Sequence, residues 1–142
     1  MATFTKFNKF LEALAEKKHD LSSDQLVFAL TNTAPTAATD TGFLPGSAHP
    51  PPAAANGYTT GGHNATIASS TESGGTYTLA CTTDVVITAT AGGIGPFRYV
   101  LLYNGTSTDD QLIGYWDYGS SITLADGETF TIDVTASLLT IT

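Results

Sequence analysis

Short stretches of alternating apolar and polar residues dominate the second half of the chain. Between Thr129 and Thr135, Phe130, Ile132 and Val134 alternate with polar residues, as in a strand with one buried and one solvated face. Turn-forming dipeptides such as Asn104-Gly105 separate such stretches. The pattern predicts strands at Gln25–Asn32, Asn64–Ser70, Thr76–Cys81, Val85–Thr90, Phe97–Tyr103, Leu112–Tyr118, Ser121–Leu124, Thr129–Thr135 and Leu138–Ile141. Turns are predicted between them, at Gly119-Ser120 among other positions.

Short strands separated by frequent turns predict a mainly β fold, an antiparallel β-sandwich of jelly-roll or immunoglobulin-like type. The length of 142 residues suits one domain with its own core. We expect a single domain, 1–142, with an N-terminal helix (1–20), a first strand (21–32), a proline-rich arm (33–56) and a β-sandwich body (57–142).

The N-terminal segment has the periodicity of an amphipathic α-helix from about Thr5 to Lys18. Phe7, Phe10, Leu11 and Leu14 follow the i, i+3, i+4, i+7 spacing and form one apolar stripe. Two phenylalanine side chains on one stripe need a cover. The stripe therefore packs either on the chain's own sheet or on another subunit.

The segment 33–56 is unusual because it contains five of the six prolines, including Pro50, Pro51 and Pro52. It is long for a connection within a compact domain, which favours either disorder or an extended arm laid on a neighbour. We expect the helix or the arm to be an intersubunit element. The residues predicted to make intersubunit contacts are Phe7, Phe10, Leu11, Leu14, Pro50, Pro51 and Pro52.

The net charge of −8 is distributed unevenly along the chain. Four lysines lie in the first 18 residues, and after them Arg98 is the one basic residue against eleven acidic ones. An acidic β body repels phosphate, so we expect no direct binding to nucleic acid. The basic N-terminal segment is either a solvated helix face or a surface that docks on an acidic partner.

Residues with reactive or metal-binding chemistry are few and widely spaced. The single Cys81 allows no intrachain disulfide and is expected to be a small buried apolar residue. His19, His49 and His63 lack the spacing of metal ligands and are expected to be surface or loop residues. We expect no catalytic, metal-binding or cofactor-binding residue, and no enzyme activity. No signal peptide and no membrane-spanning run is predicted, so we expect synthesis in a cytoplasm and no membrane partner.

An aromatic stripe, formed by Tyr99, Tyr103, Tyr115, Trp116 and Tyr118, allows two interpretations. These residues supply sandwich core with tyrosine hydroxyls at its rim, or they form a platform that contacts carbohydrate or protein. Regular pairing places Tyr99 and Tyr103 on one face, and Trp116 and Tyr118 together on a face.

Two segments that cover about half of the chain resemble a family of small structural proteins encoded by tailed bacteriophages: FNKFLEALAEKKHDLSSDQLVFALTNTAP, and GPFRYVLLYN with LIGYWDYGSSITLADGETFTID. The resemblance implies a virion-associated structural protein without catalytic residues, made in the host cytoplasm. The leading expectation is a capsid decoration (cement) protein, a homo-oligomer with a trimer favoured, that bridges major capsid subunits. The alternatives are a neck or tail connector or fibre-base subunit, and a carbohydrate-binding receptor module.

Overall fold

The computed structural model describes residues 2–43 and 48–142 and is mainly β, as the sequence predicts. Within these ranges one short helix lies near the N-terminus, and strands account for 45% of the structure. In chain order the elements are β1 (Phe4–Lys6), α1 (Asn8–Ala15), β2 (Leu26–Thr31), β3 (His63–Asn64), β4 (Ile67–Ser73), β5 (Thr76–Cys81), β6 (Val85–Thr88), β7 (Ile94–Asn104), β8 (Leu112–Leu124), β9 (Thr129–Ile132) and β10 (Leu139–Ile141).

The strands form antiparallel sheets that pack in a sandwich-like arrangement. A five-stranded sheet has the order β1-β8-β7-β2-β3, and the smaller sheets have the orders β10-β5-β4 and β6-β9. The main core contains Phe28 and Leu102 from the large sheet, together with Leu79, Ile87 and Leu139 from the smaller ones. Burial of these side chains between the layers is the main source of stability for such a fold.

The large sheet is also covered on its outer face. Every residue of β2 is buried, as expected for a central strand with cover on both faces. A second core cluster lies on this outer side and consists of Phe7, Val27, Ala29, Phe43, Leu101, Tyr103 and Leu112. The cover comes from the N-terminal and proline-rich segments of the same chain.

The described part of the proline-rich segment lies on the chain's own sheet. The ring of Phe43 stacks on that of Tyr103 with centroids 4.6 Å apart. The backbone N–H of Leu112 donates to Thr41 O over 2.9 Å, and Thr31 Oγ1 donates to Pro50 O over 3.0 Å. Hydrogen bonds and an aromatic contact therefore anchor these residues on the chain's own sheet, and contact of the arm with a neighbouring subunit stays a prediction. Residues 44–47 of the predicted arm lie outside the described residues.

The helix is shorter than predicted. It begins at Asn8, because Phe4–Lys6 form the edge strand β1 and pair with β8. Phe7 has extended backbone angles (φ −72°, ψ 141°) and belongs to the second cluster, whereas Phe10 belongs to the main core. The two phenylalanines are both 0% exposed, so neither offers surface to another subunit in this fold. The prediction of one continuous helical stripe is wrong because Phe7 precedes the helix.

The other strand and turn predictions have different outcomes. The prediction for β5, Thr76–Cys81, is confirmed. The predicted strand Asn64–Ser70 is divided between β3 in the large sheet and β4 in a small one. The predicted turn at Gly119-Ser120 is wrong, because both residues lie inside the continuous strand β8.

Candidate functional site

The remaining predicted contact residues differ in exposure. Leu11 is 45% exposed, while Leu14 is half-buried against the main core. Pro50 and Pro51 are exposed and Pro52 is half-buried. That Leu11 and these prolines contact another subunit stays a prediction.

A bulge in β8 determines where its aromatic residues point. Opposite β7, the pairing passes from Phe97↔Ile122 directly to Tyr99↔Asp117, so extra residues of β8 are accommodated between these pairs. Gly119 has φ +96°, a conformation that glycine adopts without steric cost.

The guanidinium of Arg98 fixes the bulge from the neighbouring strand. It donates two hydrogen bonds of 2.8 Å to the carboxylate of Asp117, and Asp117 also accepts the backbone N–H of Gly119 over 2.8 Å. The hydrogen bond from Arg98 is the main reason that the pKa of Asp117 lies below its ordinary value. The pair therefore holds the bulge and orients Tyr118, which follows Asp117 in the chain.

The bulge places an aromatic groove at the open side of the sandwich. The groove has a volume of about 350 Å³, and its aromatic walls are Trp116, Tyr118 and Phe130. Asp133 and Ser137 add polar groups to the same wall. Tyr118 is 54% exposed, and its ring meets that of Phe130 at 5.9 Å. Within the described ranges the Tyr118 hydroxyl, the Asp133 carboxylate and the Ser137 hydroxyl make no hydrogen bond to another residue.

The predicted aromatic stripe is split between the two faces of the large sheet. Tyr99 and Tyr103 share the outer side, and Trp116 and Tyr118 line the same groove, as predicted. Trp116 packs against Phe4 and Phe28 in the main core with ring centroids 4.9 and 6.0 Å away. The core interpretation is thus correct for most of the stripe, and Tyr118 is the member that projects into solvent.

A buried polar cluster centres on Asn104, the last residue of β7. Its Oδ1 accepts the backbone N–H groups of Thr106 and Ser107 over 2.9 and 3.2 Å. Its Nδ2 donates to Asp24 Oδ2 over 2.6 Å, and its second hydrogen faces both His19 Nδ1 at 3.1 Å and Lys18 O at 3.3 Å. The sequence predicted Asn104 as a turn residue only. The cluster could not be anticipated, since Asp24 lies 80 residues earlier.

His19 connects this cluster to a cleft between the end of α1 and the β10-β5-β4 sheet. The cleft has a volume of about 680 Å³ and is lined by Leu14, Lys17, His19, Asp20, Leu21, Ser22, Ser70, Tyr77 and Ile141. His19 is 6% exposed, and its Nε2 atom is buried with no hydrogen-bond partner among the described residues. Burial lowers the pKa of His19 below its ordinary value, and the nearby Asp24 opposes this effect. We call this concavity the His19 cleft.

Strand β4 borders the His19 cleft and has an open edge. It pairs with β5 on one side, and no other described strand pairs with its second edge. Its sequence, IASSTES, contains one charged residue and neither lysine nor proline. Natural edge strands of this length are commonly protected by lysine, proline or a cover, so β4 is a candidate docking edge.

The histidine and cysteine predictions have different outcomes. Cys81 is buried, as predicted, and burial is the main reason that its pKa is raised. His19 and His49 lie in loops, as predicted, but both are buried, whereas His63 lies in β3 and is half-buried. His49 Nε2 lies 2.8 Å from Asp40 Oδ2 in the described part of the proline-rich segment. Among the described residues, no group of three or more His, Cys, Asp or Glu could hold a metal ion.

Comparisons of the chain with protein-family models, with curated proteins and with solved structures find no match. No helix in the described ranges has the length and apolar character needed to cross a membrane.

Proposed function

We propose that the chain is a non-enzymatic structural component of a tailed-phage virion, a capsid decoration (cement) protein that bridges major capsid subunits. A neck or tail connector or fibre-base subunit is the alternative within this class. The protein forms homo-oligomers with closed symmetry, as is usual for soluble oligomers, and the resemblance favours a trimer. It uses no cofactor and contacts protein rather than nucleic acid or membrane.

The observation that carries the proposal is the open edge of β4 beside the His19 cleft. An exposed seven-residue strand offers unpaired main-chain N–H and C=O groups to an extended segment of a neighbour. This mode of association needs no disulfide and no metal. Main-chain pairing of this kind is also compatible with the composition of the chain, in which 13% of residues are charged and the net charge is negative.

The decisive measurement is the number of copies of the protein in purified particles, obtained by quantitative mass spectrometry against the major capsid protein. A decoration protein is present in hundreds of copies, because its binding sites repeat with the symmetry of the capsid. A neck or tail subunit is present in far fewer copies. Absence from particles would refute both roles.

The docking edge can be tested with a matched pair of substitutions. Thr71 on β4 and Thr78 on β5 are direct cross-strand partners, so they present side chains on the same face. Thr71→Lys places a charge on the open edge and should abolish addition to purified particles that lack the protein. Thr78→Lys places the same charge on an inner strand and should leave addition intact. Equal behaviour of the two variants would exclude the β4 edge.

A second candidate function, a carbohydrate-binding receptor module, is favoured by the aromatic groove. The apolar C–H face of a sugar ring packs on aromatic rings such as those of Trp116 and Tyr118, while Asp133 and Ser137 can bind its hydroxyl groups. The groove volume of about 350 Å³ also lies in the range of small-ligand sites.

This second function predicts that the protein binds host surface polysaccharide in a pull-down assay. Tyr118→Ala should then abolish binding with an unchanged melting temperature, because Tyr118 is largely exposed. Leu11→Ala, at an exposed apolar position on α1, is the control for loss of an exposed apolar side chain away from the groove. Retention of binding by Tyr118→Ala would exclude the groove.

A further inference from the structure

We propose that the His19 cleft binds an apolar side chain together with a neighbouring main-chain carbonyl from an extended segment of another subunit, and that this carbonyl accepts the Nε2–H of His19. The inference rests on the proposed function and specifies the chemistry of its docking site. It follows from four features of the cleft: an orphaned donor, the charge around it, its apolar walls and its position next to β4.

The first feature is the hydrogen-bonding state of His19, which its neighbours determine. Asn104 Oδ1 is engaged by two backbone N–H groups, so the amide nitrogen of Asn104 is the atom that faces His19 Nδ1. Since an amide nitrogen can only donate, Nδ1 is an acceptor and the proton of the neutral ring resides on Nε2. This Nε2–H has no acceptor among the described residues. A buried donor without a partner is costly, so an incoming acceptor is favoured.

The second feature is the charge near His19, which favours a neutral acceptor over an anion. Asp20 lines the cleft, and the carboxylate of Asp24 lies behind the ring, where it accepts from Asn104. Lys17 is the cationic side chain in the lining. A bound carboxylate would be repelled by these two acidic residues and attracted by one lysine. An amide carbonyl instead accepts a hydrogen bond without adding a charge.

The third feature is the apolar wall, which requires an apolar group next to the acceptor. Leu14, Leu21 and Ile141 line the cleft, and the ring of Tyr77 adds a flat apolar surface. Covering this wall with an aliphatic side chain removes apolar surface from water on both partners. Nε2 exposes less than 1 Å², so a partner carbonyl reaches it only when the groups that cover it move, as side chains commonly do on binding.

The fourth feature is that the cleft and the open edge of β4 are continuous. Ser70 of β4 lines the cleft, and its Oγ lies 2.9 Å from the hydroxyl of Tyr77 on β5. A segment that adds to β4 has alternate side chains on the cleft side of the sheet, because strand side chains alternate in direction. A strand-like partner can therefore engage the edge with its backbone and the cleft with an apolar side chain.

The test uses the full chain and N-acetyl-leucine methylamide, a neutral probe that carries one aliphatic side chain between two amide carbonyls. Binding is followed by chemical-shift changes of the protein's amides and by the signal of the His19 Nε2 proton. We expect saturable shifts at the cleft residues, with a dissociation constant on the order of 1 mM, as is usual for a ligand of this size. The corresponding alanine probe should bind more weakly.

Two substitutions of His19 separate its hydrogen bond from its packing. His19→Asn retains an acceptor near the Nδ1 position and removes the Nε2 donor, whereas His19→Gln retains a donor near the Nε2 position. We expect His19→Asn to bind the probe about tenfold more weakly and His19→Gln to bind nearly as well as the wild type. Ser22→Trp, at an exposed position on the cleft rim, should block the cleft, whereas Ser22→Ala, which also loses the hydrogen bond from Ser22 Oγ to Asp20, should leave probe binding intact.

The outcomes distinguish this inference from the proposed function. Equal binding by His19→Asn and the wild type, or shifts confined to other surfaces, would overturn the role of the cleft. If the probe binds as expected but particles contain no copies of the protein, the cleft is a peptide-binding site and the virion proposal fails. If particles contain many copies and His19→Asn still adds to them with wild-type affinity, the virion proposal survives and this inference fails.

Discussion

Removal of the Asn104 side chain is the most informative perturbation of the fold. Asn104→Ala leaves two backbone N–H groups without their acceptor and removes the donor that faces Asp24 and His19. Each neutral bond contributes about 1 kcal/mol, and the bond to the half-buried carboxylate contributes somewhat more. We therefore expect a loss of about 4 to 5 kcal/mol in the free energy of unfolding.

The loss is measurable by urea unfolding followed through the fluorescence of Trp116, the single tryptophan. For a chain of this size the melting temperature should fall by roughly 10 °C. The matched control is Asn64→Ala, because Asn64 is exposed at the edge of the same sheet. Its expected cost is below about 0.5 kcal/mol. A loss below about 1 kcal/mol for Asn104→Ala would refute the assignment of Asn104 as the centre of a stabilising cluster.

A second substitution tests the direction of the Asn104 amide. Asn104→Asp retains the acceptor for the loop but points a carboxylate oxygen at the carboxylate of Asp24. The repulsion raises the folded-state pKa of the introduced group, so the folded state binds the extra proton more tightly than the unfolded state. Relative to the wild type, the variant should be strongly destabilised at pH 7 and should recover as the pH falls. Equal pH profiles for the two proteins would show that the donor does not face Asp24.

Three further predictions follow from packing and titration. Gly114→Ala should weaken the pairing of β1, because a Cβ there would overlap the ring of Phe4. We expect the free energy of unfolding to fall by about 1 to 3 kcal/mol and the β1 amides to exchange hydrogen faster. Unchanged exchange would contradict this prediction. Trp116→Ala should lower the free energy of unfolding, measured by circular dichroism, by about 3 to 5 kcal/mol, and Tyr118→Ala should lower it by less than about 1 kcal/mol. The reverse order would place Trp116 outside the core. Burial lowers the pKa of His19 in the folded protein, so the unfolded state binds a proton first as the pH falls below about 6.5. The free energy of unfolding should therefore decrease from pH 7 to pH 5. The decrease should be smaller in His19→Asn, which lacks the titrating ring.

Local patterns in the sequence were sufficient to predict the fold class and most of its strands. Alternation with period two identifies β5 and β9 because it reflects a strand with unequal faces. The burial of Cys81 was likewise predictable from its apolar strand context. The acidic character of the β-sandwich body also follows from composition alone, because it does not depend on how the residues contact one another.

Tertiary pairing decided what the local patterns left ambiguous. Phe7 has helical spacing from Phe10, but the pairing of β1 with β8 keeps it outside the helix and turns it to the other core. Gly119-Ser120 has turn composition, yet the clamp between Arg98 and Asp117 holds it within a strand as a bulge.

The candidate sites depend on tertiary structure most of all. Asn104 contacts Asp24 and His19 across 80 and 85 residues of sequence, and the His19 cleft lies between a helix end and the sheet that contains β4. Hydrogen bonds and cavities of this kind arise between segments distant in sequence. Periodicity reports only which face of a segment is apolar, so the partner that covers this face is decided by the folded chain.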